Sequence, residues 1–117
     1  MQNRGAYFSL DPRHPNRLEP GKRPFHTLIA SLAYRDGRLW QVFGCMGADG
    51  QPQTHLQVYT SLIDFGLDLQ AAVEAPRWLA GRFALGDARE LLNLEGRFAP
   101  ATLAELARRG HAINRWE

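Results

Sequence analysis

An apolar stretch that runs into Gly44-Cys45-Met46-Gly47-Ala48-Asp49-Gly50-Gln51-Pro52 holds the best candidate for chemistry in this chain. A turn of small residues between a strand and a helix aims free backbone N–H groups at one point in space, and the start of the helix adds positive potential there. Such a point stabilises the oxyanion that forms when a carbonyl is attacked. Small residues at Gly47 and Ala48 leave room for a substrate to approach. A plain strand-to-helix turn uses the same residue types, and spacing alone favours that structural reading.

Other groups near this turn carry their own alternatives. Cys45 sits beside it, and a thiolate nucleophile would need His26 or His55 within hydrogen-bond reach. A lone cysteine closing an apolar strand more often acts as a small buried hydrophobe. Gly21-Lys22-Arg23-Pro24-Phe25-His26-Thr27 puts polar side chains at the entrance of the first core strand, where ligand contacts concentrate. Local pairing of Arg23, His26 and Thr27 explains the same residues equally well. Gln51, Gln53, His55 and Gln57 alternate along the expected helix, and only Gln53 and Gln57 share a face at about 3.6 residues per turn. A hydrogen-bond network across a layer is the expectation for that pair. Glu74 and Arg77 flank Ala75-Pro76, where Arg77 is expected to form a structural ion pair that locks the helix exit.

Composition narrows the partners. The net charge is +2, and thirteen arginines and one lysine are scattered rather than interleaved with aromatics. Nucleic acid is therefore not an expected partner. No apolar run approaches the roughly 20 residues of a membrane helix, so no membrane association is expected. Residues 1–5 lack a hydrophobic signal region. A cytoplasmic location follows as the expectation, or a periplasmic one if the true N-terminus lies elsewhere. Cys45 is the single cysteine, and no two of His14, His26, His55 and His111 have the spacing of a zinc pair. Neither a disulfide, a metal nor a cofactor is expected.

The elements that must position these residues are legible in outline. Pro12, Pro15, Pro20 and Pro24 forbid a long helix over residues 1–25, which reads as an extended lead-in. Leu28 to Tyr34 and Leu39 to Phe43 make an antiparallel hairpin around Asp36-Gly37, covered on both faces. Pro52 opens a helix whose stripe is Leu56, Tyr59, Leu62 and Ile63, and Gly66 ends it. Asp68 caps a second helix that Pro76 closes. Short strands are expected over Arg77 to Leu79, Arg82 to Leu85 and Leu91 to Leu94. A third helix starts near Pro100, buries Leu103, Leu106 and Ala107, and ends at Gly110. His111 to Trp116 is a final strand without an evident partner. Strand pairs followed by helix pairs imply α+β layers rather than alternating βαβ units.

Several ordered landmarks carry a resemblance over nearly the whole chain. They are Gly21-Lys22-Arg23-Pro24, Asp36-Gly37 followed by Trp40, Gly44 to Gly47, Leu56-Gln57-Val58, Asp64-Phe65-Gly66 and Glu74-Ala75-Pro76-Arg77. Together they resemble the C-terminal part of the gamma-glutamyltranspeptidase family. The resemblance implies a partial αββα sandwich of the N-terminal nucleophile hydrolase type, a single incomplete domain over 1–117. In that family a precursor cleaves itself, and the new N-terminal threonine attacks an amide with its own α-amino group as base. Its two-glycine oxyanion hole falls on Gly47 and Ala48.

Two positions depart from the family pattern. Two adjacent serines that hold the glutamyl carboxylate are replaced by His26 and Thr27. An Asp-Asp-Phe motif that binds the substrate amino group aligns with Ala6-Tyr7-Phe8, so Tyr7 stands where a carboxylate would pair with an ammonium. Arg4 and Tyr7 join His26 and Thr27 as expected substrate contacts. The chain thus resembles the divergent transpeptidase-like branch, with acylases of the cephalosporin or glutaryl type as relatives. Thr27, Thr54, Thr60 and Thr102 are all internal, so the nucleophile is expected elsewhere and the chain alone is expected to be inactive. Its expected partners are an amide or γ-glutamyl-like small molecule, and either the remaining large- and small-subunit segments or further copies of itself. A self-associating, non-catalytic remnant is the alternative from a different class.

Overall fold

The hairpin forms, with β1 over Ser31–Arg35 and β2 over Arg38–Phe43. Its two-residue turn needs positive φ at both positions, and Asp36 and Gly37 adopt 51° and 76°. These coordinates come from a computed structural model, which describes residues 4–82 and 88–116. The register slips between Ala33 and Tyr34, leaving Trp40 as the extra residue of a bulge. The Arg35 guanidinium lies 3.9 Å from the centre of the Trp40 ring. Leu28 to Ala30, expected in the first strand, precede it.

Only one face of this hairpin is covered. Leu32 pairs with Val42 and Tyr34 with Leu39, and all four are more than half exposed. The other face meets a helix. After a 3-10 turn at Ala48–Gly50, α1 runs over Gln51–Ile63. Phe43 of β2 stacks on Tyr59 at 5.5 Å and meets His55 edge-on at 5.4 Å. The helix ends with the N–H groups of Asp64 and Phe65 both donating to Thr60 O, and Gly66 takes a positive φ of 64°. α2 covers Leu69–Glu74, and the Asp68 carboxylate accepts from the Ala71 N–H at 2.8 Å as its cap.

The apolar stripe expected on α1 is not its buried face. Leu56 and Ile63 are exposed, whereas Gln51 and His55 are buried. The polar face meets a sheet edge instead. Gln57 donates to Trp78 O at 2.8 Å and accepts from Trp78 N at 2.9 Å; Gln53 does the same with Ala80, at 2.9 Å each way. Four helical residues rise about 6.0 Å and two strand residues about 6.6 Å, so amides at i and i+4 match alternate residues of a strand. The two glutamines thereby close a strand edge that would otherwise expose unpaired groups.

That strand is β3, Trp78–Ala80; β4 covers Leu91–Glu95, α3 Pro100–Arg108 and β5 Ala112–Trp116. The order is β3-β4-β5, antiparallel then parallel. The final strand therefore has a partner, and β4-α3-β5 is a βαβ unit where none was expected. Leu103 and Leu106 of α3 are half-buried, but Ala107 faces solvent. The strand expected over Arg82 to Leu85 falls largely outside the described residues. Asn93, 4% exposed, donates to Leu79 O and Gly81 O and accepts from Asn114 Nδ2.

Residues 4–25 are less extended than expected. A 3-10 turn spans Arg4–Tyr7, and residues 9–18 fold back through Ser9 N to Asn16 O and Leu18 N to Ser9 O.

The ion pair of Arg77 runs to Glu95 on β4, at 2.9 Å, rather than to Glu74. Partial burial pushes the Glu95 carboxyl up, but the Arg97 hydrogen bond and the bonds and charge of Arg77 outweigh it, so it is held below its ordinary value near 4.5. A depressed folded-state value stabilises above the ordinary value and stops doing so as pH falls through the depressed one. Thermal melts from pH 7 to 3 should show this loss below about pH 4.5, and Glu95→Gln should lose about 1–2 kcal/mol at pH 7 and flatten that part of the profile.

The whole is open for its length. Its radius of gyration is 17.6 Å, against about 13 Å for a compact domain of this size. It exposes 8773 Å², against about 6,400 Å² for a folded monomer of this mass. Among the described residues seventeen large hydrophobic side chains are exposed, including the outer face of the hairpin. No helix among the described residues is long and apolar enough to cross a membrane.

Candidate functional site

Gly47 and Ala48 occupy backbone conformations that few residues tolerate. Gly47 has φ 140° and ψ 16°, and Ala48 has φ 45°. Left-handed backbone costs a residue with a Cβ roughly 1–2 kcal/mol, so the surroundings must hold Ala48 there. The turn is closed by Gly50 N to Gly47 O at 2.8 Å and by Gln51 N to Ala48 O. The N–H groups of Gly47 and Ala48 have no acceptor among the described residues. Gly50 is buried where α1 meets β3, and a Cβ there would overlap Leu79 Cδ1. Ala48→Gly should relieve the strained backbone, and a melt should show stability raised by up to ~1 kcal/mol, the gain being reduced by the entropy glycine adds to the unfolded chain.

The expected acyl-pocket residues divide. Thr27 is 4% exposed, while His26 is exposed. Gln51 bridges Thr27 to the turn: its Nε2 donates to Thr27 O at 2.5 Å and to Ala48 O at 3.3 Å. Arg4 and Tyr7 form a second cluster, with the guanidinium 6.0 Å from the Tyr7 ring centre. Tyr7 in turn lies 6.0 Å from the Phe25 ring. Asn16 pins this cluster beside the strand entrance, donating to Tyr7 O at 2.5 Å and accepting from Phe25 N at 3.0 Å. Arg4 and Tyr7 therefore approach residues 25–27 through Phe25, and Thr27 approaches Gly47-Ala48 through Gln51.

Cys45 lines a separate cavity of about 460 Å³ between β2, α1 and α2, with Thr54, His55 and Arg77 among its walls. Partial burial pushes the thiol up, and the Arg77 charge and a Thr54 hydrogen bond pull it down by less. His55 bonds through Nδ1 to Ser31 Oγ at 3.2 Å, and its buried Nε2 has no hydrogen-bond partner among the described residues. Neither histidine expected as a base is hydrogen-bonded to the thiol, and a raised value is the reverse of what a cysteine nucleophile requires. Among the described residues no group of three His, Cys, Asp or Glu side chains is placed to hold a metal ion.

Sequence reasoning missed Gln51 and Asn16 as organisers. Gln51 stands within the Gly44 to Pro52 stretch, but the helical period set it apart from the face shared by Gln53 and Gln57, and no role was expected of it. Nothing in the spacing linked Ser31 to His55 or Asn16 to Tyr7.

A family model described as gamma-glutamyltranspeptidase matches residues 1–117. The chain is 52% identical over 113 residues to the oxamate amidohydrolase proenzyme of Klebsiella pneumoniae, covering 96% of this chain and 21% of that protein. It is 42% identical to the glutathione hydrolase-like YwrD proenzyme of Bacillus subtilis, covering 97% and 21%. The chain thus spans about one-fifth of the length of these relatives. Among solved structures it resembles cephalosporin acylase from Bacillus halodurans, with TM-score 0.86 and 43% identity over 100% of this chain and 21% of that one. Helicobacter pylori gamma-glutamyltranspeptidase shares the fold, with TM-score 0.84 over 99% of this chain and 66% of that one, at 23% identity.

Proposed function

The chain belongs to the gamma-glutamyltranspeptidase family and forms part of its αββα N-terminal nucleophile hydrolase fold, and from that premise we propose that it is the segment of an amidohydrolase or acyltransferase that supplies the oxyanion hole. The observation that carries this is the pair of N–H groups at Gly47 and Ala48 that have no acceptor among the described residues, set in a strained turn beside buried Thr27. Thr54 and Thr60 lie within α1 and Thr102 within α3, and Thr27 is held through its carbonyl by Gln51. None is set up as an N-terminal nucleophile, so the attacking threonine comes from another segment. The base is that threonine's own α-amino group, which deprotonates the hydroxyl as it attacks the amide carbonyl. The negative charge that develops on the carbonyl oxygen is met by the two N–H groups of the turn.

The acyl group is read from the surrounding charges. Arg4 and His26 suit a carboxylate on the acyl chain, and Tyr7 offers no anion to a substrate ammonium. An acyl group with a carboxylate and no amino group follows, in keeping with relatives named for oxamate and cephalosporin. Other segments of the same protein cover the excess exposed surface, including Leu32, Tyr34, Leu39 and Val42 of the hairpin.

The test uses glutaryl-p-nitroanilide, γ-glutamyl-p-nitroanilide and oxamate. Residues 1–117 alone should turn over none of them, and the protein assembled with its threonine-bearing segment should prefer glutaryl or oxamate to γ-glutamyl. Turnover by the isolated chain would refute an external nucleophile. Sedimentation decides the alternative: stable self-association without binding of the other segments would favour a remnant that covers its surface with further copies.

A further inference from the structure

One side chain links the proposed oxyanion turn to Thr27 of the proposed acyl site. Gln51 is 5% exposed. Its Nε2 donates to Thr27 O at 2.5 Å and to Ala48 O at 3.3 Å, and its backbone N–H donates to Ala48 O as well. A Cβ added at Gly47 would lie 3.8 Å from Gln51 Cγ, so the side chain borders the space beside that glycine. It is also the first residue of α1, and α1 is anchored to β3 through Gln53 and Gln57.

We infer that Gln51 is a positioning residue that locks the Gly47-Ala48 turn to the strand entrance at Thr27, through the juxtaposition of its carboxamide with the Ala48 and Thr27 carbonyls. The physical need is specific. Ala48 holds a left-handed φ that an alanine leaves when unconstrained, and the carbonyl of that residue is gripped twice by Gln51. An oxyanion hole works only if its donors are already in place when charge develops, since reorienting them would consume the stabilisation. A single amide that ties the donor turn to the segment around Thr27 fixes both against one reference, within the small tolerance such sites allow. The catalytic consequence rests on the oxyanion reading above; the lock itself does not.

The experiment separates the two. Gln51→Met keeps the length and shape of the side chain and removes both side-chain donors; Gln51→Leu is the second variant should the first fold poorly. Hydrogen exchange is followed in the whole protein at the amides of Gly50 and Gln51, which report on turn closure because they donate to Gly47 O and Ala48 O. Those amides should exchange roughly tenfold faster in the variants, as two net hydrogen bonds imply. The Glu95 amide, bonded to Arg77 O in the other sheet, should be unchanged. With glutaryl-p-nitroanilide or oxamate, kcat should fall at least ~10-fold while KM stays within about threefold. Unchanged exchange at Gly50 and Gln51 overturns the lock, and so does equal acceleration at Glu95, which marks general loosening. Faster exchange confined to the turn with unchanged kcat leaves the lock standing and removes the oxyanion reading.

Discussion

Gly47→Ala should lower turnover by the assembled enzyme at least ~100-fold, with little change in KM. The space around the residue is not the reason, since a Cβ there would meet only Gln51 at 3.8 Å and 3.9 Å. The backbone is the reason. At φ 140° a residue with a Cβ is strained and rotates away, which turns its N–H and the peptide leading to Ala48 off target. Loss of one donor of an oxyanion hole costs about 10²–10³ in kcat, because the charge it met exists only near the transition state. Steady-state kinetics on the best of the three substrates checks it. A variant within threefold of the parent would exclude Gly47 from the chemistry. The strain also predicts a stability loss of about 1–3 kcal/mol, so kinetics should be measured well below the melting temperature.

The largest effect on stability is expected at Asn93→Leu. The substitution keeps the heavy-atom count and branching of the side chain and adds no charge. It removes donors from Leu79 O at 3.2 Å and Gly81 O at 2.7 Å, and the acceptor of Asn114 Nδ2 at 2.8 Å. The site is 4% exposed, so water cannot replace those partners easily. A loss of about 2–4 kcal/mol follows in urea unfolding. Asn114→Ala, at a more exposed position on β5, should cost clearly less. A measured loss below ~0.5 kcal/mol for Asn93→Leu would mean that hydration or repacking satisfies β3 without the asparagine. Because Leu79 packs against Gly50, loosening of β3 should also reach the start of α1.

Local chemistry made much of the fold legible. Asp36-Gly37 selects a two-residue turn, Asp68 caps α2, Gly66 and Pro76 stop two helices, and Pro100 starts the third; each acts through its own backbone or its nearest neighbours. The glutamine pair was legible for the same reason, since residues at i and i+4 share a helix face whatever packs there. The stripe of Leu56, Tyr59, Leu62 and Ile63 misled because an apolar face says nothing of which body covers it. In this chain that face remains partly open, and a polar face meets β3. The partner of the last strand was missed because parallel pairing across α3 is a long-range contact with no local signature.

The residues themselves determined that a small-residue turn precedes a helix, that glutamines share one of its faces, and that the landmarks follow a known family order. These are matters of side-chain size, capping and period, which neighbours in the chain decide. Only the tertiary structure decided that Gln51 joins Thr27 to Ala48 across 24 residues, that Asn16 sets Tyr7 beside Phe25, and that Arg77 answers Glu95. Hydrogen bonds and ion pairs between distant segments depend on where the backbone carries each group, and that is set once the layers have packed.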